Sequence, residues 1–86
     1  MPDVCNEIEA RIESLLSRLA ANDEESADLE QRHRDLDADF RVFRRESDLN
    51  RIFTLDEDRR RLQTEHSALT TRVNVLYTML EEIQRP

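Results

Sequence analysis

Apolar side chains in the first half of the chain recur at alternating steps of four and three residues. This spacing places them on one stripe of a helix that packs against another helix. Polar side chains take seam positions at Asn22, Ser26 and His33 without a change of register. Asp3 can cap the first amides, so we predict a long first helix over about 3–47. Its seam is Ile8, Ile12, Leu15, Leu19, Asn22, Ser26, Leu29, His33, Leu36, Phe40 and Phe43.

A second apolar seam begins at Leu55 and repeats once per heptad. Its members are Leu55, Leu62, Leu69, Leu76 and Ile83. This seam is out of phase with the first, so a single continuous helix would need its apolar stripe to jump around the cylinder. Thr54 and Glu57 have the spacing of a capping box, which marks a helix start. We therefore predict a loop at about 48–54 and a second helix over about 55–85.

These elements predict an all-α fold: an antiparallel helical hairpin of the coiled-coil type, forming a single helical domain over 1–86. Folding about residue 51 leaves 1–18 without a partner, although this segment carries a wide apolar stripe. Association of two hairpins into a dimeric helical bundle would cover the stripe. The alternative is a break of helix one near Asn22, which would make a three-helix bundle. The predicted oligomer or partner interface is Val4, Ile8, Ile12, Leu15, Leu16, Leu19, Val75, Tyr77, Met79, Leu80 and Ile83.

Composition supports the helical interpretation and bears on the cellular location of the protein. The chain has no glycine, and its two prolines are Pro2 and Pro86, so the tight turns of a sheet lack their usual residues. Charged residues make up 38% of the chain and the net charge is −7. We find no apolar run of about 18 residues and no signal-peptide pattern, so we predict no membrane partner. A single cysteine, Cys5, excludes an internal disulfide and favours a reducing, cytoplasmic location.

Arginine is the only basic residue type apart from histidine, and it concentrates around the predicted loop. This concentration raises the hypothesis of nucleic-acid binding at the loop end. Interleaved carboxylates and the negative net charge oppose it, so nucleic acid is not the leading prediction. A cation–π contact of Arg59 with Phe43 is a further hypothesis. The candidate nucleic-acid contacts are Arg44, Arg45, Arg51, Arg59, Arg60 and Arg61.

Two histidines, His33 and His66, occupy seam positions and raise the hypothesis of a metal site. A metal usually needs more ligands than these two provide, so we predict no metal site and no cofactor. We also find no nucleophile–base set and no phosphate loop, so we predict no catalytic residues and no enzyme activity.

The sequence therefore predicts a non-enzymatic protein–protein interaction module, such as a scaffold, an adaptor or a small chaperone, that acts through helix–helix packing. The predicted partner is a second copy, giving a homodimer, or a helix of another protein. The alternative prediction is a nucleic-acid-binding hairpin that uses its arginine-rich loop end.

Overall fold

The computed structural model describes residues 3–85, which form two long antiparallel helices. Helix α1 spans Val4–Phe43 and helix α2 spans Glu46–Gln84. Their packing gives an elongated body of 65 × 17 × 14 Å. The described residues contain no strand, so the predicted all-α helical hairpin is confirmed. Residues 1, 2 and 86 of the predicted domain lie outside the described part.

A two-residue turn joins the helices. Arg44 adopts the left-handed conformation, with φ 54° and ψ 37°, and its N–H donates to the carbonyl of Phe40 at 2.8 Å. Arg45 is extended, and its carbonyl accepts from the N–H groups of Asp48 and Leu49 at 3.1 and 3.3 Å. Left-handed backbone at the end of a helix reverses the chain sharply, usually with glycine. In this glycine-free chain, an arginine takes that position.

The predicted loop at 48–54 is therefore wrong, as are the helix boundaries that depended on it. The segment 46–54 is part of α2, and Ile52 is buried within it. Thr54 does not cap a helix start, since its hydroxyl donates to the Asn50 carbonyl at 3.1 Å inside α2. The change of phase between the two seams does mark a break between two helices, but the break lies at Arg44 and Arg45.

The length of the paired region explains the position of the turn. A turn at 44–45 leaves helices of 40 and 39 residues, which pair from end to end. Ile8 and Ile12 are then only 5% and 4% exposed. Burying such a side chain stabilises by about 1.5–3 kcal/mol, whereas a cap contributes about 1 kcal/mol. Three cross-helix contacts between a side-chain nitrogen and a carboxylate oxygen join residues equally far from the turn: His33 with Asp56, Glu30 with Arg59, and Asp23 with His66.

The core is a single row of side chains between the helices. Two polar residues, Asn22 and Asp48, are also buried, each 4% exposed. Asp48 accepts from Arg45 beside the turn, and the Nδ2–H of Asn22 donates to the Leu62 carbonyl of α2 at 3.0 Å. A buried amide needs such a partner, because an unsatisfied one would cost about 1–3 kcal/mol. The buried apolar residues are Ile8, Ile12, Leu29, Ile52, Leu55, Leu62, Leu69 and Val73.

Helix α1 begins with the predicted cap and continues without interruption. The Asp3 carboxylate accepts from the Cys5 N–H at 2.9 Å, which confirms Asp3 as the N-cap. The helix passes through Asn22 as regular α-helix. The break that a three-helix bundle requires is therefore not found in residues 3–85.

Candidate interaction surfaces

The structure divides the predicted partner interface into buried and exposed residues. Ile8 and Ile12 lie inside the hairpin, so they leave almost no surface for a partner. Leu15 and Leu19 belong to the same seam and are half-buried, as is Leu80 on α2. The remaining residues are exposed near the end of the hairpin opposite the turn, which we call the open end: Val4, Leu16, Val75, Tyr77, Met79 and Ile83.

An open groove of about 550 Å³ runs between the two helices towards the open end. Its apolar lining comes from Leu15, Val75 and Leu76, and the charged residues that line it are Arg11 and Arg72. The groove has no carboxylate among its lining residues, although the chain has more acidic than basic residues. The full lining is Arg11, Ser14, Leu15, Thr71, Arg72, Val75 and Leu76.

The two arginines of this groove differ in their partners. Nη2 of Arg11 lies 3.1 Å from Oε1 of Glu7 on the preceding turn of α1. Both side chains of this pair are more than half exposed, so water screens the interaction and it contributes little to stability. Arg72 makes no ion pair with a carboxylate of residues 3–85. Of the two groove arginines, Arg72 is therefore the one that has no carboxylate of residues 3–85 within ion-pair distance, whereas Arg11 is paired with Glu7.

A second shallow groove continues this surface along α2. It shares Thr71 and Val75 with the first groove and adds Met79. Together they make a stripe on which residues three or four apart share one side of the helix. This is the geometry that a neighbouring helix can pack against. Its full lining is Thr71, Asn74, Val75, Thr78, Met79 and Glu82.

The middle of the hairpin is polar and its charges are paired across the helices. On one side lie the three pairs that are equally far from the turn, with closest N–O distances between 3.3 and 3.7 Å. Arg18 and Glu65 meet at 4.0 Å. Such exposed pairs stabilise by less than about 1 kcal/mol each. These polar side chains flank the seam and contact each other across it, whereas Arg72 in the groove makes no ion pair within residues 3–85.

The two histidines are not brought together. Nε2 of His33 lies 3.3 Å from Asp56, and Nε2 of His66 lies 3.6 Å from Asp23. These sites are about 15 Å apart along the hairpin, from ten residues of helical rise. Residues 3–85 also hold no cluster of three or more potential metal ligands. The structure thus gives no support to a metal site shared by His33 and His66.

The arginines near the turn occupy several faces. Arg59, Arg60 and Arg61 are consecutive, so their side chains leave α2 about 100° apart. Arg59 pairs with Glu30 and Asp56. Arg61 lies 3.7 Å from Asp58, whereas Arg44, Arg51 and Arg60 are exposed at separate positions. The structure does not gather the six predicted contacts on a single surface.

The turn also carries a cation–π contact, with a different arginine from the predicted one. The guanidinium carbon of Arg45 lies 4.8 Å from the centroid of the Phe43 ring, while its Nε lies 3.0 Å from Oδ2 of Asp48. Arg59 is engaged with carboxylates instead. The pairing of Arg59 with Phe43 was wrong because it assumed a turn that lies further along the chain.

Arg11 and Arg72 are not among the site residues that the sequence predicts. Each directly precedes a seam residue, Arg11 before Ile12 and Arg72 before Val73. That position flanks the seam in a helix pair, which was a usable signal. The groove also depends on the alignment of the two helices, which brings Arg11 and Arg72 to the same groove. The predicted turn position placed them far apart.

Comparisons of the chain with protein-family models, with curated proteins and with solved structures found no match. Within residues 3–85, neither helix has a stretch apolar and long enough to cross a membrane.

Proposed function

We propose that this protein is a non-enzymatic protein–protein interaction module, and that the open end of the hairpin is its contact surface. One observation carries the proposal. The helix–helix seam is complete, yet Val4, Leu16, Val75, Tyr77, Met79 and Ile83 remain exposed at the open end. Of these, Val75 and Met79 lie one helical turn apart and line the same side of α2. Exposed apolar side chains that share a face are a feature of surfaces that bind other proteins.

The shape of the surface favours a helix as the bound element. The main groove lies between two helices, and its apolar residues come from both α1 and α2. An amphipathic helix can lay its apolar face into such a groove. A scaffold, an adaptor and a small chaperone that covers a helix of another protein would all use this surface. A second copy of the chain is also a candidate partner.

The pairing of residues 1–18 with α2 removes the reason for which the sequence predicted a homodimer. The sequence predicted dimerisation because residues 1–18 seemed to lack a partner. In the hairpin, the seam residues of this segment pack against α2, and Ile8 and Ile12 are buried. A homodimer would therefore have to use the exposed open end. It remains a proposal that rests on that surface alone.

Paired variants test the proposed surface. In the first, Val75→Ser and Met79→Ser are combined, because both side chains are exposed and their loss should leave the seam intact. The matched control is Val42→Ser, which is 73% exposed near the turn. Circular dichroism verifies that each variant is folded. Sedimentation equilibrium then measures self-association, and quantitative affinity capture from the source cell measures association with other proteins.

We expect the open-end variant to lose association and the Val42 control to retain it. The proposal fails if the unmodified chain is a monomer and no captured protein is lost from the open-end variant. It also fails if Val42→Ser weakens association as strongly as the double substitution. Either result would show that the exposed apolar residues at the open end are not a binding surface.

Nucleic-acid binding through the turn region stays a separate prediction. The most direct test replaces Arg44, Arg51 and Arg60 with glutamine, since these exposed residues make no ion pair in residues 3–85. Binding of RNA and duplex DNA is measured across a range of salt concentrations. Phosphate contacts would give an affinity that falls steeply with salt and a shallower slope in the variant. Absence of salt-sensitive binding would exclude this function.

A further inference from the structure

Building on the proposed function, we propose that the partner at the open end is a second copy of the chain, which packs antiparallel along one side of the hairpin. The two copies are related by a two-fold axis that crosses this side beside Arg18 and Glu65. The order of the charges along the side selects this partner, and the length of the side makes the contact large enough.

Three grooves between the helices lie on this side, which we call the groove side. The groove at the open end and a groove near the turn are lined by equivalent positions, three heptads apart on each helix. Arg11 of the first groove corresponds to Arg32 of the second, and Leu76 corresponds to Leu55. A third groove, which Arg18 lines, begins one heptad from the first. Whole heptads return a side chain to the same face of a paired helix, so the three grooves form one row.

The charges that α2 brings to the groove side have a self-complementary order. From the open end to the turn, on either side of the central Glu65, they are Glu82, Arg72, Asp58 and Arg51. In the reverse direction, the same order has the opposite sign at every place. In an antiparallel dimer, Arg72 of one copy therefore faces Asp58 of the other, and Arg51 faces Glu82, each to within about one helical turn.

Most of these α2 charges have no ion-pair partner within their own chain. Glu82, Arg72 and Arg51 make no ion pair with residues 3–85. Asp58 lies 3.7 Å from Arg61, whose side chain is 68% exposed. Such an exposed contact is screened by water and is weak. A second copy would thus supply unlike charges that the single hairpin lacks.

Helix α1 repeats the order of charges along the groove side. From the open end to the turn, its charges on either side of the central Arg18 are Glu7, Arg11, Glu25 and Arg32. Arg11 and Arg32 already pair with Glu7 and Asp28 at 3.1 and 3.0 Å, but all four side chains are more than half exposed, so these pairs are weak. At the centre, Arg18 and Glu65 lie 4.0 Å apart in each copy, so their charges offset each other.

A parallel alignment of the two copies is disfavoured. In a two-fold contact, the same surface is used on both copies, and parallel alignment would pack α1 of one copy on α2 of the other. Arg11 would then approach Arg72, and Glu25 would approach Asp58. Like charges would meet within a partly dehydrated contact, which would weaken it. Antiparallel alignment packs α1 on α1 and α2 on α2, so it avoids these contacts.

The groove side is long enough for a stable dimer. The charged residues from Glu7 to Arg32 extend over about 38 Å of helix, and the hairpin is 17 Å across. The contact is therefore roughly 650 Å² per copy, which falls within the ~1,200–2,000 Å² total of specific interfaces. Leu15, Ala21 and Val75 of the grooves lie within this length and supply apolar contact.

A charge exchange within one chain tests the contact. Arg72→Glu and Asp58→Arg are made singly and together, and sedimentation equilibrium up to ~1 mM chain measures each dissociation constant. These two residues lie about 21 Å apart on α2, beyond the ~8 Å over which charges interact in physiological salt. Restoration by the second substitution must therefore pass through a second copy. The matched control is Arg60→Glu, an equal charge change at an exposed residue outside the three grooves.

We expect the unmodified chain to dimerise and each single substitution to raise the dissociation constant about tenfold, because two symmetric contacts become repulsive. The combined variant should return to within about threefold of the unmodified chain, and Arg60→Glu should have less than about a twofold effect. A monomeric unmodified chain overturns the proposal, as does a combined variant weaker than either single one. Tighter association of Asp58→Arg also overturns it, since reduced net charge would then govern association.

The orientation of the two copies has an independent readout at Cys5, the one cysteine of the chain. A nitroxide label on this thiol lies near the open end, and double electron–electron resonance measures the distance between the labels of two copies. The antiparallel dimer separates them by about 40 Å along the helices. A distance of about 20 Å, from helices packed side by side with their open ends together, would contradict the proposal.

Affinity capture separates this inference from the proposed function. If the unmodified chain is a monomer and Val75→Ser with Met79→Ser loses a captured protein, the second-copy proposal is wrong and the proposed function survives. The proposed function also survives if the chain is a dimer that the serine variant dissociates but the charge exchange does not affect. That result would overturn the antiparallel contact alone.

Discussion

Replacing Ile12 with alanine tests the pairing of the two helices directly, because two arrangements give this residue different roles. In the structure, Ile12 is 4% exposed and packs within the hairpin. In a hairpin folded near residue 51, it would lie on an unpartnered segment that only a second copy could bury. Leu16 is the matched control, since it lies one helical turn away on α1 and is 43% exposed.

The expected magnitude follows from burial. The change from isoleucine to alanine removes three carbon groups, worth about 0.8 kcal/mol each, or roughly 2.4 kcal/mol of transfer free energy. The remaining cavity raises the loss to about 3 kcal/mol. The same change at the half-exposed Leu16 should cost about 1 kcal/mol. For a chain of this size, about 3 kcal/mol lowers Tm by roughly 12–24 °C.

Urea denaturation followed by far-UV circular dichroism measures both variants. We would record each curve over a ~hundredfold range of protein concentration, since a stability that depends on association changes with concentration. We expect the loss at Ile12 to exceed that at Leu16 by about 2 kcal/mol and not to vary with concentration. An equal loss at the two positions, or a loss at Ile12 that shrinks as the protein is concentrated, would refute the pairing described here.

Four further substitutions at three positions test the turn, the buried amide and the N-cap by the same denaturation assay. Arg44→Gly should stabilise by about 0.5–1 kcal/mol, because glycine accepts the left-handed backbone; a loss of about 1 kcal/mol, expected for glycine within a helix, would show that the turn lies elsewhere. Asn22→Ala should cost about 1–2 kcal/mol through the lost hydrogen bond to Leu62 and the small cavity. By contrast, Asn22→Leu should be neutral or stabilising, and a large loss there would mean that the amide contributes more than one hydrogen bond. Asp3→Ala should cost about 1 kcal/mol by removing the acceptor for the Cys5 N–H, and hydrogen exchange in the first turn of α1 should accelerate; unchanged exchange would contradict this role.

Local patterns in the sequence were sufficient to determine the helical hairpin. The absence of glycine, the prolines at positions 2 and 86, and the two heptad seams together indicate two helices and no sheet. The phase difference between the seams also requires a break between Phe43 and Leu55. Each of these features depends on residues close together in the chain, which is why sequence alone could reveal them. The N-cap at Asp3 belongs to the same group.

The position of the turn was decided by tertiary structure. A four–three pattern repeats every heptad, so shifting one helix along the other by whole heptads still places apolar residues opposite apolar residues. Local signals therefore favoured Thr54 as a helix start, although burial of Ile8, Ile12 and Ile52 outweighs a cap. Full-length pairing depends on both helices together, so it cannot be predicted from any short stretch of the sequence.

For the candidate surface too, some features follow from the sequence and others depend on the packing of the two helices. The pattern of apolar residues was enough to identify Val75 and Met79 as part of a surface, because their position on α2 depends only on helical periodicity. The place of Arg72 beside Arg11 depends on how the two helices are aligned, since the residues come from different helices. The sequence alone thus determined which faces are apolar, whereas only the packing of α1 on α2 decided which of those faces remain exposed and which charges border them.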